Sequence, residues 1–211
     1  MSHTSRLPRY ALYGGAFDPP HNAHVDMVRQ LVAQCDLDQV WVVPTGQAWH
    51  KPRTLTDAVH RLAMTRLAFA DVPEAVVDDR EMRRDGPSYT VDTLAELQAT
   101  NPPADWFVLM GQDQWATFPT WNQWQTIAEN ASIVIADRTI QLSDEGLKNI
   151  KHSSANGTDV PPGLPQPIQL NWNQTAISST AARQNPTQAS ALLPNAVASY
   201  ISEHFLYTSP T

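Results

Sequence analysis

Short apolar runs alternate along the chain with segments whose apolar residues recur every three or four positions. The runs predict buried strands, and the longer spacing predicts helices with one face on a core. The predicted strands are Tyr10–Tyr13, Val40–Val43, Ala75–Val77, Trp106–Met110 and Ile133–Ala136, with Leu170 ending a last one. The predicted helices are His21–Gln34, Asp57–Ala70, Val91–Gln98, Trp121–Glu129, Ser178–Gln184 and Val197–Phe205.

The same spacing predicts which face of the first two helices is buried. In the first helix the expected apolar face consists of Val28, Leu31, Val32 and Cys35. In the second it consists of Val59, Leu62, Ala63 and Leu67. Thr90 directly precedes the third helix, and its hydroxyl is of the type that caps helix N-termini.

Strands that alternate with helices predict βαβ units, and hence an α/β fold with a doubly wound parallel sheet. In such sheets ligands bind at the carboxyl ends of the strands, near the point where the strand order reverses. Residues 9–207 are expected to form a single domain after a flexible tail, residues 1–8. The polar segment 139–169, whose end is rich in proline, is interpreted as a variable surface insertion with one short helix near residues 145–150.

Composition restricts the function. The chain has 211 residues and a net charge of −7, which argues against sequence-independent binding to nucleic acid. Phosphate groups would therefore have to be bound by local structural features, such as helix N-termini and a few cationic side chains. The single cysteine, Cys35, fits a reducing compartment, and no apolar stretch approaches the roughly 20 residues of a membrane span. We expect a cytoplasmic protein with no membrane partner, and the sequence leaves its oligomeric state open.

The segment that follows the first predicted strand reads GGAFDPPHNAH, residues 14–24. Two glycines allow the main chain to approach a ligand closely. His21 and His24 are one turn apart, on the first turn of a helix that also presents unpaired amides and the positive end of its dipole. This combination is typical of a phosphate site. Two other interpretations stay open: histidines that cap or pack, and a zinc site that lacks its other ligands.

These residues closely resemble the first signature of the nucleotidyltransferase superfamily, in its His-x-x-His form. The usual form has Thr or Ser where Ala16 stands and Gly where Ala23 stands. The superfamily's second signature resembles Ile177-Ser178-Ser179-Thr180-Ala181-Ala182-Arg183 near the C-terminus. There a serine can cap a helix whose amides face a triphosphate, and Arg183 follows one turn later as a cation for phosphate.

The motifs between the two signatures are similar to those of bacterial nicotinate-nucleotide adenylyltransferases, in the same order. They are His50-Lys51, the stretch from Glu81 to Leu94 with Gly86-Pro87-Ser88-Tyr89-Thr90, Gly111-Gln112-Asp113 and Phe118-Pro119-Thr120-Trp121. The similarity covers residues 9–207 except 139–169, and it implies a Rossmann-like nucleotidyltransferase fold. Trp49 departs from the family's usual proline, and Thr139-Ile140 departs from its usual Pro-Gly.

The resemblance implies that ATP donates an adenylyl group to nicotinate mononucleotide, which yields nicotinate adenine dinucleotide and pyrophosphate in NAD biosynthesis. The implied catalytic residues are His21, His24, Lys51 and Arg183. The implied ATP-binding residues are Gly14, Gly15, Ala16, Phe17, His21, His24, Ile177, Ser178, Ser179, Thr180 and Arg183. The implied mononucleotide-binding residues are Lys51, Tyr89, Thr90, Asp113, Trp121 and Asn122. Mg²⁺ is the expected cofactor, held mainly by ATP phosphates and water rather than by a protein metal site.

Some roles are more specific. The resemblance places Trp121 against the pyridine ring and main-chain amides near Thr90 and Asn122 against its carboxylate. Trp124, one turn on from Trp121, fits core packing better. Asp18 is expected either to orient the loop or to serve only as a turn residue.

Four alternatives follow from the same residues. Phosphopantetheine adenylyltransferase usually has Thr at the position of His21, and the Tyr89-Thr90 and Trp121 motifs disfavour a preference for nicotinamide mononucleotide. A non-catalytic nucleotide-sensing module would be expected to have lost His21, His24 or Arg183. A zinc-binding structural protein is the fourth.

Overall fold

The computed structural model describes residues 6–46, 55–136, 166–172, 179–184 and 190–207. Within these residues six strands form one sheet, in which every pairing is parallel. The strands are β1 (Arg9–Gly15), β2 (Gln39–Pro44), β3 (Ala75–Val77), β4 (Asp105–Gly111), β5 (Ser132–Ala136) and β6 (Ile168–Leu170). All six predicted strands are therefore confirmed, most of them with slightly longer bounds.

The strand order is β3-β2-β1-β4-β5-β6. The chain thus winds outward from β1 in one direction, returns to the other side of β1, and winds outward again. Because the order reverses between β1 and β4, the carboxyl ends of these two strands form the switch point at which α/β sheets bind ligands. Gly15 at the end of β1 lies opposite Pro44 of β2, and Gly111 ends β4 opposite Ala136 of β5. The predicted doubly wound, Rossmann-like fold is confirmed.

Helices connect the strands. They are α1 (Asn22–Cys35), α2 (Ala58–Phe69), α3 (Arg80–Arg83), α4 (Thr90–Thr100), α5 (Gln112–Thr117), α6 (Trp124–Asn130), α7 (Ser179–Gln184) and α8 (Asn195–Glu203). Two 3₁₀ turns, Phe118–Thr120 and Ser190–Leu192, accompany them.

Each face of the sheet has its own hydrophobic core. Side chains alternate along a strand, so Ala11 and Tyr13 of β1 contribute to one core and Leu12 to the other. The first core also includes residues of α1, α2 and α8, and the second includes residues of α4 and α6. The predicted face of α1 lies in the first core, where Val28 and Leu31 are fully buried.

The predicted face of α2 is wrong. Val59 is 61% exposed, and Leu62, Ala63 and Leu67 are only partly buried. The side chains buried on this helix are Arg61, Met64, Thr65, Ala68 and Phe69. The physical reason is Arg61, whose guanidinium donates hydrogen bonds to the main-chain carbonyls of Ala16 and Thr45 and so turns a charged position inward.

Two further differences concern helix ends, and a third concerns short helices. Thr90 does not cap α4, because it is the first helical residue and Tyr89 occupies the N-cap position. The helix predicted from Trp121 begins at Trp124, since Gln123 has a left-handed backbone with φ 50°. The helices α3 and α5 and both 3₁₀ turns were not predicted, because segments of three to six residues are too short to show a helical period.

Several predictions fall outside the described residues. They concern Lys51, Trp49, Ile177, Ser178, the tail before residue 6 and the helix expected at 145–150. Among the described helices, none has both the length and the apolar character required to cross a membrane.

Candidate active site

The loop after β1 is folded tightly against its own strand. Phe17 is 2% exposed and has a positive φ of 46°. Its ring lies against Gly15, where an added Cβ would be 3.0 Å from the ring carbon Cζ. Glycine at this position therefore makes room for the side chain two residues on. The loop returns to α1, whose N-cap is His21.

The two histidines of the first signature stack on each other at the start of α1. Their ring centroids are 3.6 Å apart and the ring planes differ by 14°. The main-chain N–H of His21 donates to Nδ1 of His24 at 3.1 Å. A ring nitrogen that accepts a hydrogen bond carries no proton, so this contact assigns the proton of neutral His24 to Nε2. His24 can therefore present a donor at the far side of its ring.

This geometry suits an anion better than a zinc ion. Stacked rings keep their in-plane nitrogen lone pairs in nearly parallel planes, whereas two zinc ligands must converge on one ion at about 2.1 Å. Within the described residues, no group of three or more His, Cys, Asp and Glu side chains is placed to hold a metal ion. Imidazole N–H groups and first-turn amides are all donors, which is what phosphate oxygens require.

Asp18 is an internal acceptor and not an exposed turn residue. It is 1% exposed, and its carboxylate accepts hydrogen bonds from the Tyr207 hydroxyl at 2.6 Å and from the Thr56 amide at 3.3 Å. Burial, reinforced by the hydrogen bond to Asp18, raises the pKa of Tyr207 well above its ordinary value. Tyr207 thus stays protonated and can serve as the donor. Of the two expectations for Asp18, loop orientation is the one that the geometry supports.

The second signature lies directly against the first. The Ser179 hydroxyl, at the start of α7, donates to the carbonyl of Pro19 at 3.0 Å. Arg183 donates from Nη1 to the carbonyl of Asp18 at 2.6 Å and from Nη2 to the Thr180 hydroxyl at 3.1 Å. Residues 160 or more positions apart in sequence therefore meet at the loop after β1. The fold brings the predicted cation and the predicted histidines to one place.

Sequence reasoning missed Arg61, which lies beneath the same loop. It is 2% exposed, and its guanidinium donates to the carbonyls of Ala16 at 3.0 Å and Thr45 at 2.7 Å. A signal was present, since a charged residue stands three, four and seven positions before Met64, Thr65 and Ala68 and so shares their buried face. An arginine among such residues indicates an internal partner.

The start of α4 is fixed by a buried carboxylate. Glu81 is 6% exposed and accepts a hydrogen bond from the Thr93 hydroxyl at 2.7 Å. Burial raises the pKa of Glu81, and the Thr93 hydrogen bond partly opposes that effect by favouring the charged form. Tyr89 packs against the second core, and Thr90 is partly buried at the first helical position. The first-turn amides of α4 therefore have a fixed position.

Three aromatic rings surround Phe118 on the α5–α6 side. Trp115 stacks on Phe118 with centroids 5.6 Å apart, while Trp121 and Trp124 meet it edge to face at 5.5 and 6.0 Å. Trp121 and Trp124 are both partly buried, so burial alone does not separate the ligand role predicted for one from the packing role predicted for the other. Asp113, two residues before Trp115, and Asn122, between Trp121 and Trp124, are both exposed.

Comparison with known proteins identifies the family to which the chain belongs. The family profile described as cytidylyltransferase-like matches residues 12–185. A protein of Albidiferax ferrireducens named "Probable nicotinate-nucleotide adenylyltransferase" is 42% identical over 203 residues, covering 95% of this chain and 98% of that protein. A protein of the same name from Methylibium petroleiphilum is 35% identical and covers 96% of this chain and 93% of that protein. The chain belongs to the nicotinate-nucleotide adenylyltransferases.

Solved structures show the same fold. The nicotinic acid mononucleotide adenylyltransferase of Plasmodium falciparum, solved with APC and also with NaAD, superposes with a TM-score of 0.71 at 19% identity. The superposition covers 95% of this chain and 97% of that one. At this identity the likeness concerns the fold, and the assignment to the adenylyltransferase family rests on the sequence relatives.

The two departures from the usual first signature of nucleotidyltransferases, Ala16 and Ala23, are compatible with the local structure. Ala23 is 2% exposed and forms part of the first core, so its methyl group faces the protein interior. Ala16 offers its carbonyl to Arg61, a contact that needs no side chain. Neither departure disturbs the stacked histidines.

Proposed function

We propose that this adenylyltransferase transfers the adenylyl group of ATP to nicotinate mononucleotide, which forms nicotinate adenine dinucleotide and pyrophosphate in NAD biosynthesis. One observation carries the proposal: both signatures meet at the Asp18 and Pro19 carbonyls, beside the stacked histidines at the N-terminus of α1. Four kinds of donor are thereby collected at the switch point of the sheet: imidazole, guanidinium, hydroxyl and amide.

In this reaction the 5′-phosphate of the mononucleotide attacks the α-phosphorus of ATP in line, and pyrophosphate leaves on the opposite side. The attacking phosphate is already an anion at neutral pH, so positioning and charge stabilisation supply most of the catalysis. We assign His21 and His24 to the transferring and leaving phosphates, with Nε2–H of His24 as a donor. Arg183 would neutralise the pyrophosphate, and Lys51 would hold the mononucleotide phosphate.

The remaining ATP contacts follow from the loop and from α7. Gly14, Gly15, Ala16 and Phe17 would contribute main chain, while Ser179 and Thr180, with Ile177 and Ser178 before them, would present the start of α7 to the triphosphate. The short distances from Ser179 and Arg183 to the loop support this grouping.

Nucleotidyltransferases of this kind use a divalent metal ion, and we propose Mg²⁺. The described donor set fits an ion carried by the nucleotide, because the Asp18 carboxylate already accepts from Tyr207 and Thr56. The ion would neutralise charge on the ATP phosphates while keeping mostly water and phosphate oxygens as ligands. Asp113, exposed on the first turn of α5, would contact the mononucleotide ribose or a water near its phosphate.

For the pyridine end we propose that Trp121 stacks on the ring and that amides near Thr90 and Asn122 bind its carboxylate, with Tyr89 alongside. The turn at this point supports the assignment, because the Trp121 amide bonds back to Phe118 at 2.9 Å and so orients the indole. A carboxylate bound by main-chain donors also explains how a protein of net charge −7 would select an acidic ring. The cytoplasm is the proposed compartment, on the argument from the single cysteine.

The test is pyrophosphate release from ATP with three acceptors in parallel: nicotinate mononucleotide, nicotinamide mononucleotide and phosphopantetheine. We expect release with the first, formation of the dinucleotide, loss of turnover in EDTA and recovery with Mg²⁺, and no stoichiometric zinc in the purified protein. The His24→Ala variant controls for contaminating activity. Pyrophosphate release with only one of the other two acceptors would indicate an adenylyltransferase with a different substrate. ATP binding without pyrophosphate release would indicate a non-catalytic nucleotide-binding module.

A further inference from the structure

Arg61 joins three separate segments of main chain. Besides its contacts to Ala16 and Thr45, its Nε donates to the carbonyl of Thr56 at 2.9 Å and its Nη2 to the carbonyl of Gly46 at 3.3 Å. These four acceptors are all main-chain oxygens. One planar guanidinium with five donors in a fixed fork can make such a set of contacts, whereas a lysine ammonium cannot span it.

The segments joined by Arg61 lead to opposite sides of the reaction. Ala16 belongs to the loop after β1, which the proposed function assigns to ATP. Thr45 and Gly46 follow β2, and Thr56 lies two residues before α2, next to its N-cap Asp57. The sequence between Gly46 and Thr56 contains Lys51, which the proposed function assigns to the acceptor phosphate. Arg61 therefore holds the two stretches of main chain that flank Lys51 in sequence, residues 45–46 and residue 56, against the loop after β1.

Neighbouring contacts limit how far these segments can shift. An added Cβ at Gly46 would overlap the carbonyl oxygen of Glu81, so the main chains of the two residues lie close together at that point. The Thr45 amide donates to the carbonyl of Gly15 at 2.8 Å. The Thr56 amide donates to the Asp18 carboxylate, while its carbonyl accepts from Arg61. Removing the guanidinium would take a donor away from each of the four partly buried carbonyls that it contacts.

We propose that Arg61 is a positioning residue for phosphoryl transfer, which fixes the distance and direction between the ATP loop and the acceptor-side segments. This inference rests on the proposed function for the identity of the two substrates. Each substrate mainly contacts one segment when it binds, but the transition state requires both segments in register. Loss of the bridge should therefore lower kcat much more than it raises either KM.

The experiment compares Arg61→Lys and Arg61→Ala with Arg66→Ala. Arg66 lies on the same helix with a side chain that is 58% exposed, so its loss serves as a matched control. For Arg61→Lys we expect a folded protein whose kcat is about 10²-fold lower, since small misplacements of reacting groups cost that much. The KM values for ATP and the mononucleotide should each change by only a few-fold. Arg66→Ala should resemble the wild type.

Chemical rescue separates positioning from bulk stability. Millimolar guanidinium should raise kcat of Arg61→Ala by about tenfold, because it supplies the missing planar donors, and should not activate Arg66→Ala. Near-normal kcat in a folded Arg61→Lys protein would overturn the proposal. So would losses in both variants that follow the unfolded fraction and do not respond to guanidinium.

Amide hydrogen exchange tests the bridge independently of turnover. In Arg61→Lys we expect faster exchange at residues 15–18 and at residues 45–46, while β4 and β5 keep wild-type exchange. If the wild type released no pyrophosphate with any acceptor, the proposed function would fail while this measurement still tested the bridge. Unchanged amide exchange in both segments would refute the bridging role of Arg61.

Discussion

Around the loop after β1, buried polar groups hold the site together, whereas around α5 and α6 aromatic packing does so. The first region, here called the phosphate side, comprises residues 14–24, α7, Arg61 and Tyr207. The second, the ring side, comprises Trp115, Phe118, Trp121 and Trp124. On the phosphate side Asp18 and Arg61 are 1% and 2% exposed and are hydrogen-bonded to partners far away in sequence. On the ring side, two of the four rings stay partly exposed.

The difference indicates what each region tolerates. Removing one partner from a buried hydrogen bond leaves the other unsatisfied and costs about 1–3 kcal/mol. Aromatic contacts contribute roughly 0.5–1.5 kcal/mol beyond the area they bury and allow small shifts of a ring. The phosphate side should therefore be rigid and sensitive to single changes, while the ring side should adapt to the acceptor and determine which acceptor is used.

The largest effect is expected on the ring side, in the choice of acceptor. The wild type should prefer nicotinate over nicotinamide mononucleotide by tens-fold to thousands-fold in kcat/KM. The carboxamide would direct its NH₂ group at amide donors, and each unpaired donor costs on the order of 1–3 kcal/mol. Steady-state kinetics with both mononucleotides measure the ratio, and equal use of the two would refute a carboxylate site built from amides.

A single substitution can remove one of these donors. Thr90 is the first helical residue of α4, where proline is well tolerated, and Tyr89 before it has the extended backbone that a following proline prefers. Thr90→Pro should lower the acid-over-amide ratio by about tenfold, since it lacks the N–H. Thr90→Ala keeps the N–H and should retain the ratio. If the two variants behave alike, the Thr90 amide does not contact the carboxylate.

The next effect concerns the phosphate side. His24→Ala should lower kcat by about 10²-fold or more and leave the protein folded, because a preorganised donor to the developing charge is lost. Turnover and a thermal unfolding curve are the measurements. His204→Ala, which removes an exposed imidazole at the end of α8, is the matched control. Near-normal turnover of a folded His24 variant would exclude the assigned role.

A smaller effect is expected from Trp121. Trp121→Ala should raise KM about tenfold for both mononucleotides, because ring stacking serves the acid and the amide alike, and leave KM for ATP nearly unchanged. Trp124→Ala is the comparison, since its ring contacts Phe118 in a similar way at 6.0 Å. Equal effects of the two substitutions on acceptor KM would return Trp121 to a packing role.

The smallest change in turnover is expected from Tyr207→Phe. It deletes the hydroxyl that donates to buried Asp18 and should lower the free energy of unfolding by about 1.5–3 kcal/mol, with kcat reduced only a few-fold. The pKa of Tyr207 is higher in the folded than in the unfolded protein, where it is about 10. The stabilisation of the folded state by this group is therefore complete at any pH well below about 10 and is lost only as the pH rises above it. The difference should therefore be constant from about pH 6 to 9.

Denaturant unfolding of Tyr207→Phe beside Tyr10→Phe measures this effect. Tyr10 packs its ring on Trp106 at 5.4 Å and serves as a tyrosine away from the phosphate side. Equal stability of the two variants at neutral pH would show that the contact to Asp18 adds nothing to folding.

The sequence predicts what depends on local pattern. Buried parallel strands are continuous apolar runs, so β4 can be identified from its amino-acid sequence alone. Two histidines one turn apart on a helix necessarily share a face. The paired signatures predict that Arg183 and the two histidines serve the same ATP phosphates, and in the structure Arg183 contacts the first loop at the Asp18 carbonyl. The roles assigned to the site residues stay predictions, and Lys51 lies outside the described residues.

What the sequence does not reveal depends on contacts between distant segments. The helical spacing of Arg61 can indicate that it is buried, but not its partners, because the carbonyls of Ala16 and Thr45 lie 45 and 16 residues away in sequence. The exposed position of Val59 follows from the same contact, because the helix turns to bury the arginine. Tyr207 gives no local signal at all, since its partner lies at the other end of the chain.

The hydrogen bond between Asp18 and Tyr207 sets an order of events for the newly made chain. Tyr207 is synthesised 189 residues after Asp18, which corresponds to about 10–40 s of translation. During that interval the first signature exists without the hydroxyl that completes its buried carboxylate. Residues 14–24 of the phosphate side are thus synthesised well before α7 and Tyr207. We expect nucleotide binding to appear only when these later residues have emerged from the ribosome.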